Sequence, residues 1–311
     1  MYSTSKKSQF VKSTATQHGF DFCGIAKAEF LNDDAKKLEN WLSKKYQAGM
    51  QYMENHFDKR VNPQLLVPGA KSVITVLKNY YPAKESGNKI KISKYAYGKD
   101  YHLVIKDNLK KYYADLQQHL GSFSARGFVD SAPVLERSWA VKSGLGWVGK
   151  NGNFITKQQG SFFFIATLIV DIELEYDNEF VKDYCGTCTK CIDECPTEAI
   201  LPNKVIDASK CISYHTIELK DAFIANGLKG KFDNWMFGCD TCQDVCPWNR
   251  FSKPNSEQEF KPKTEIFNFN ETDWLQLTEE NFANLFKDSP LKRTKLQGIQ
   301  RNIKFLTEEN F

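Results

Sequence analysis

The sequence has no apolar run long enough to cross a bilayer. Its longest nearly uninterrupted one, residues 162–170, is about half the length of a spanning helix and is rich in β-branched and aromatic residues. It predicts a buried strand. The start, MYSTSKKSQF, has neither an apolar h-region nor a twin-arginine pair, which predicts a cytoplasmic protein without membrane attachment. A dominant charge sign is missing too: 42 Lys and Arg face 38 Asp and Glu, a formal +4, so a nucleic-acid partner is permitted but not required. No low-complexity segment occurs, and no internal repeat apart from two groups of cysteines. With 41% hydrophobic residues in 311, a disordered or fibrous chain is excluded and about two domains are expected. Cysteine itself is scarce before residue 180, where Cys23 stands alone in an apolar segment and reads as a small buried hydrophobe.

The other eight cysteines lie between Cys185 and Cys246, so composition divides the chain into residues 1–180, 181–250 and 251–311. In the first part, strand-like stretches at 20–26, 72–78, 89–96, 126–129, 153–156 and 162–170 alternate with amphipathic ones, which predicts an α/β domain. The clearest helix is 100–120, where Ile105, Leu109, Tyr112, Leu116 and Leu120 recur every three or four residues and Gly121 supplies the stop. The charged stretch 171–183 marks the boundary. Beyond Pro247 and the polar stretch 252–263, the tail returns to helical spacing at Leu296, Ile299, Ile303 and Leu306.

Cys185, Cys188, Cys191 and Cys195 form CxxCxxCxxxC followed by Pro196, the spacing of bacterial ferredoxins. Such short steps let one loop present three thiolates to a cubane, while the fourth cysteine serves a second cluster. Cys239, Cys242 and Cys246, followed by Pro247, repeat the later half, with Cys211 as the displaced first ligand. The crossed rule assigns Cys185, Cys188, Cys191 and Cys246 to one 4Fe-4S cluster and Cys211, Cys239, Cys242 and Cys195 to the other. Paired zinc sites are the alternative, but zinc does not call for the third short step or the terminal Cys-Pro. A free-standing ferredoxin needs far less chain than the 180 residues that precede this module. The preceding domain is therefore expected to hold what the electrons reduce.

Residues 144–150, GLGWVGK, satisfy both GxGxxG and GxxxxGK, yet they follow a helix-like segment and precede a strand, and Asn151 stands where a P-loop requires Ser or Thr. Nucleotide binding is disfavoured. A tight turn that brings backbone close to a bulky cofactor and an ordinary β-turn both remain open.

The stretches VDSAPVLER (129–137) and GLGWVGKNG (144–152), followed by the double cysteine module, resemble the epoxyqueuosine reductase family, with support from residues 60–74, YGKDYH (97–102) and CISYHTIE (211–218). The resemblance covers essentially the whole chain. It implies an N-terminal cobalamin-binding α/β domain, a ferredoxin-like domain holding two 4Fe-4S clusters and a short helical tail, together a mixed α+β and α/β architecture. It also implies a monomeric enzyme that reduces epoxyqueuosine to queuosine at the tRNA wobble position. In that deoxygenation cob(I)alamin, fed by the clusters from a low-potential electron donor, delivers two electrons.

An alkoxide leaving group must be protonated, and Asp130 matches the family's proton donor. Aspartate is ionised at neutral pH, so that role calls for desolvation. Arg60, Asp130, Ser213 and Asp240 carry over as cobalamin contacts, with Tyr97, Lys150 and Asn151 beside them. Asp100-Tyr101-His102 resembles a DxHxxG cobalt-ligand pattern, but Ile105 occupies the glycine position, so no histidine axial ligand is expected; the other histidines read as structural. Lys220, Lys292, Arg293 and Arg301 are the candidate RNA contacts. Many members of the family continue as HEAT-like repeats past the point corresponding to Phe311; if that extension contributes to tRNA grip, this chain is expected to bind with less help or to use the basic tail. Reductive dehalogenases, which couple the same cofactors but usually carry a twin-arginine signal, and plain electron-transfer modules are the competing classes.

Overall fold

The first 120 residues of this computed structural model alternate helix and strand: α1 (Thr4–Gln17), β1 (Phe22–Lys27), α2 (Asn32–Ser43), α3 (Phe57–Val61), β2 (Ser72–Asn79), β3 (Lys91–Ile92) and α4 (Tyr101–Leu120). Then come β4 (Ala125–Phe128), α5 (Glu136–Lys142), β5 (Trp147–Val148), β6 (Phe154–Ile155) and β7 (Phe163–Val170). The structure describes residues 3–83, 87–262, 266 and 268–307. Lys263 and Phe311 therefore lie outside the described residues.

Strands β1, β2, β7 and β4 form one sheet in that order, and every pair is antiparallel. The domain is thus α+β, which corrects the α/β expectation. Lys27, the end of β1, pairs with Ser72, the start of β2, so the connection through α2 and α3 leaves and re-enters at one end of the sheet. Alternation of element types along a sequence does not fix that direction.

Strand β2 is buried along its whole length because helices cover both faces. Ile74 and Val76 pack with Val11 and Ala15 of α1 and with Ile105, Leu109 and Leu116 of α4. Val73 lies on the opposite face with Leu31 and Trp139, and Leu77 with Ala140 of α5. The period of two sorts the strand between two cores. A Cβ at Gly24 would stand 2.2 Å from the Ser143 carbonyl oxygen, so only glycine lets the end of α5 approach β1 this closely.

The predicted helix at 100–120 is α4. Asp100 caps it by accepting from the His102 amide at 2.9 Å, and Gly121 ends it at φ +87°. The expected strand at 89–96 is only β3, paired in parallel with β10 (Trp235–Phe237), and the chain then tightens into a 3-10 turn at Lys94–Ala96. The cause is tertiary. The Lys94 amide donates to the Asp240 carboxylate at 2.7 Å instead of continuing the ladder.

The cysteine-rich segment carries α6 (Lys190–Asp193), β8 (Ile200–Leu201), β9 (Val205–Ile206) and, after β10, α7 (Thr241–Asp244). The tail forms α8 (Glu271–Leu275), α9 (Glu279–Leu285) and α10 (Lys295–Thr307). Its core is shared. Trp274, Phe286, Leu296, Ile299 and Ile303 pack with Ile90, Ile92 and Tyr97 from the first part and with Met236 and Phe237 from the second. Asn302 donates to the carbonyls of Thr216 and Met236, at 2.8 and 2.9 Å. A division at residue 251 therefore marks a change of composition, not a separate core.

Candidate functional site

Each cysteine group turns through a short helix, α6 or α7, and the two helices pack together. Cys185, Cys188, Cys191 and Cys246 line a pocket of about 190 Å³. Cys195, Cys211, Cys239 and Cys242 open instead onto a cavity of about 1540 Å³. The grouping expected from the crossed rule is thus the spatial one: Cys246 reaches back to the first loop and Cys195 forward to the second. Among the described residues no three His, Cys, Asp or Glu side chains converge as ligands of a single metal ion would. Burial pushes the Cys191 thiol up to about 11 and the Cys239 thiol up to about 12.

The large cavity lies between the sheet domain and the second cysteine set. One wall comes from α2 and α3, with Trp41 and Arg60; another from the N-terminus of α4, with Tyr101; a third from the loop 130–135. Trp41 Nε1 donates to the Ile206 carbonyl at 2.7 Å and the Gly49 amide donates to the Tyr214 hydroxyl at 2.9 Å, so the α2 wall is tied to the cysteine-rich segment on the far side.

Asp130 has φ +43°, a left-handed conformation rare outside glycine, asparagine and aspartate. Two bonds hold it there. The Tyr101 hydroxyl donates to its carboxylate, and its amide donates to Glu136 Oε1 at 3.0 Å. Tyr101 is itself fixed by stacking on Phe164, with ring centroids 4.1 Å apart. Asp130 stands exposed to the cavity, so the protein alone does not provide the desolvation that its expected role calls for. Burial together with the nearby Asp130 charge pushes the Glu136 carboxyl up to about 8.

Asp240 is fully buried. It accepts from Ser93 Oγ and from the Lys94 amide, and burial raises its carboxyl to about 6 although the Lys94 ammonium lies 3.8 Å away. Ser213 precedes a π-helical turn, Tyr214–Glu218, and both it and Asp240 line the cavity beside cysteines of the second set. Arg60 is buried, donates through Nη2 to the Tyr52 carbonyl and keeps a buried Nε that has no partner among the described residues.

Other expected contacts lie elsewhere. Tyr97 is turned into the shared apolar core, away from the cavity, because the 3-10 turn before it presents Tyr95 to the cavity instead. Lys150 Nζ donates to the carbonyls of Gly186 and Cys188, at 2.8 and 2.9 Å, so it holds the first cysteine loop. Asn151 lines the cavity while its amide donates to the Cys242 carbonyl at 3.0 Å. The glycine-rich stretch is a β5–β6 hairpin packed on the cysteine loops, and the strand that follows it leaves no helix N-terminus for a phosphate. His102 is tied to Asp100 at 2.7 Å and does not line the cavity, whereas His56 does. Cys23 packs against the α1–α4 core, where burial pushes its thiol up to about 12.

Lys220 and Lys292 are exposed. Arg293 lies at the cavity edge in a two-bond pair with Glu218, at 2.8 and 2.7 Å. Arg301 departs from its expected role: its guanidinium donates to the carbonyls of His215, Leu219 and Asp221, so it clamps α10 to the cysteine-rich segment. Tyr101 and Glu136 escaped sequence reasoning although both stand inside quoted motifs. Neither residue type announces that it will serve an aspartate 29 or six positions away.

Residues 60–131 match the family model "Epoxyqueuosine reductase QueG, DUF1730", and residues 184–249 match "4Fe-4S double cluster binding domain". An epoxyqueuosine reductase from Cyclobacterium marinum is 57% identical over 312 residues, covering 99% of each chain. The chain belongs to the epoxyqueuosine reductase family. The epoxyqueuosine reductase of Escherichia coli is 40% identical over 95% of this chain and 79% of its own. A crystal structure of epoxyqueuosine reductase with an epoxyqueuosine-modified tRNA-Tyr stem loop superposes with TM-score 0.90 at 28% identity, over 97% of this chain and 81% of that one. A Bacillus subtilis epoxyqueuosine reductase whose aspartate-bearing catalytic loop is swung out of the active site gives TM-score 0.89 at 28% identity, with the same coverage. A reductive dehalogenase described as B12-dependent shares the fold alone, with TM-score 0.50 at 18% identity over 96% of this chain and 38% of its own. Among the described residues of this epoxyqueuosine reductase family member no helix is long and apolar enough to cross a membrane.

Proposed function

We propose that this chain reduces epoxyqueuosine to queuosine in the wobble position of tRNA, using two 4Fe-4S clusters and cobalamin. The observation that carries the reading is the opening of the second cysteine set, Cys195, Cys211, Cys239 and Cys242, onto the cavity that also presents Asp130. The reaction consumes two electrons and two protons, breaks both epoxide carbon–oxygen bonds and releases water.

The residues present fit a corrinoid. The cavity is large, it borders the second cysteine set, and Arg60 brings it a buried guanidinium nitrogen that has no partner among the described residues. Arg60, Ser213, Asp240 and Asn151 would hold the cofactor's polar edge. Bound cobalamin supplies a low-potential centre that passes the two electrons to the epoxide. Asp130 donates the proton to the departing oxygen, and Tyr101 and Glu136 set its position. With cofactor and base in place, water is excluded around Asp130, which supplies the desolvation its role requires. The swung-out loop of the Bacillus subtilis enzyme supports a mobile 130–135 loop that closes over substrate.

A wobble base reaches such a cavity by leaving the anticodon stack, held meanwhile by phosphate contacts. Lys220, Lys292 and Arg293 are the proposed contacts, in a monomer that works in the cytoplasm and takes electrons from a low-potential donor.

The test is anaerobic incubation of cluster-reconstituted protein with cobalamin, a low-potential reductant and tRNA bearing epoxyqueuosine, followed by nucleoside mass spectrometry. Loss of one oxygen that depends on cobalamin is the expected result. No conversion by protein that has taken up both cofactors would overturn the reading.

A further inference from the structure

The first cysteine set opens onto a pocket of its own. Its pocket is lined by Lys150, Tyr184, Trp248 and Arg250, and none of its four cysteines lines the large cavity. Around it basic side chains collect without acidic partners. Lys157 Nζ lies 4.4 Å from the Tyr184 ring centroid, and Lys182 and Lys190 are exposed on the chain that carries the cysteines. None of Lys150, Lys157, Lys182, Lys190 and Arg250 forms an ion pair within 4 Å among the described residues. The one acid adjoining Tyr184, Asp183, is neutralised by Lys204 at 3.0 Å. Asp193, which accepts from Thr189, and Glu194 are the remaining acids of that loop.

Apolar groups stand among these cations. Phe251 is 39% exposed and packs on Trp248 with ring centroids 6.0 Å apart; Trp248 packs in turn on Tyr184 and Trp147, at 5.9 and 5.1 Å, and Val181, 86% exposed, lies with Trp147 at the edge of the large cavity. An apolar, aromatic centre with a cationic rim is the composition of a protein-binding surface.

We propose that this face docks an acidic, low-potential one-electron carrier protein, which reduces the cluster held by Cys185, Cys188, Cys191 and Cys246. The inference rests on the proposed function and names the donor class that it requires. Two carrier molecules are each oxidised by one electron in successive encounters; the pair passes from the first cluster to the second and then to the epoxide, which also takes up two protons. Charge complementarity selects the partner: unpaired cations attract an acidic surface, raise the encounter rate and lose that advantage in salt. RNA is the less suited occupant of the patch's centre, because Lys157, Lys190 and Arg250 stand around the cysteine set that does not line the cavity where the base must react, whereas Val181 and Lys182 reach that cavity's edge.

The test compares cluster-loaded wild type with the double variant Lys157→Glu and Lys190→Glu, two exposed side chains outside both pockets. Oxidised flavodoxin, an acidic flavoprotein, is titrated calorimetrically at low and high salt; turnover is then driven either by reduced flavodoxin or by dithionite. The expected results are salt-sensitive binding by wild type, roughly tenfold weaker binding by the variant, a similar loss of flavodoxin-driven turnover and unchanged dithionite-driven turnover. Repeating the titration with an acidic 4Fe-4S ferredoxin tells the two carrier types apart. Equal binding and turnover by wild type and variant, with either carrier, overturn the docking surface. Weaker binding of the tRNA stem loop by the variant, with carrier binding intact, overturns it in favour of RNA. Absence of dithionite-driven turnover in wild type defeats the proposed function instead.

Discussion

Replacing Asp130 by asparagine removes an acid and almost nothing else. The amide oxygen of asparagine still accepts from the Tyr101 hydroxyl, the backbone amide still donates to Glu136 at 3.0 Å, and asparagine tolerates φ +43° better than most residues do. The loss is therefore chemical. General acid catalysis contributes about 10²- to 10⁴-fold, or roughly 3 to 5 kcal/mol in barrier height. Tyr101→Phe perturbs the same acid from the other side. Stacking on Phe164 at 4.1 Å is retained, while a hydrogen bond to a charged group, worth about 1.5 to 3 kcal/mol, disappears. Single-turnover rates with tRNA bearing epoxyqueuosine should fall about 10²-fold or more for Asp130→Asn and about 10- to 100-fold for Tyr101→Phe, with iron content unchanged. Because both act through one carboxyl, the double variant should be little slower than Asp130→Asn, a strong departure from additivity. A single Asp130→Asn rate within about threefold of wild type, or fully additive losses, would refute the assignment of Asp130 as proton donor positioned by Tyr101.

Three further outcomes are expected. Arg301→Met leaves three backbone carbonyls without their half-buried cationic donor, and thermal unfolding should show a loss of roughly 1 to 3 kcal/mol. Glu136 binds its proton more tightly folded, up to about 8, than unfolded near 4.5, so the folded state loses stability as pH rises between those values; denaturant melts should show Glu136→Gln gaining on wild type at pH 9 but not at pH 4. Cys191→Ser and Cys242→Ser should each lower iron from about eight to about four per chain, and electron paramagnetic resonance should find a different cluster surviving in each.

How far the sequence reached depends on the range of the interaction that fixes each feature. Helix α4 was legible to within a residue because its periodicity, its Asp100 cap and its Gly121 stop are all local. The cysteine partition was legible because loop spacing and the crossed rule determine which sulfurs can meet. Strand direction was not: the position of Ser72 opposite Lys27 depends on where a connection of more than forty residues returns, and no local signal records it. The 3-10 turn that buries Tyr97 and turns Tyr95 to the cavity is made by Asp240, about 145 positions away.

The same division runs through the site. Sequence alone determined the chemistry available: eight thiolates in two sets, an aspartate in a motif, and cations in the tail. Tertiary structure decided which of them face one another. It placed Tyr101 and Glu136 on Asp130, committed Lys150 to the first cysteine loop and Arg301 to the carbonyls around the π-helical turn, and gave the two cysteine sets separate pockets. Residue identity limits what a group can donate, accept or ligate, but which partner it finds is set by packing between segments far apart in the chain, and only the folded molecule specifies that.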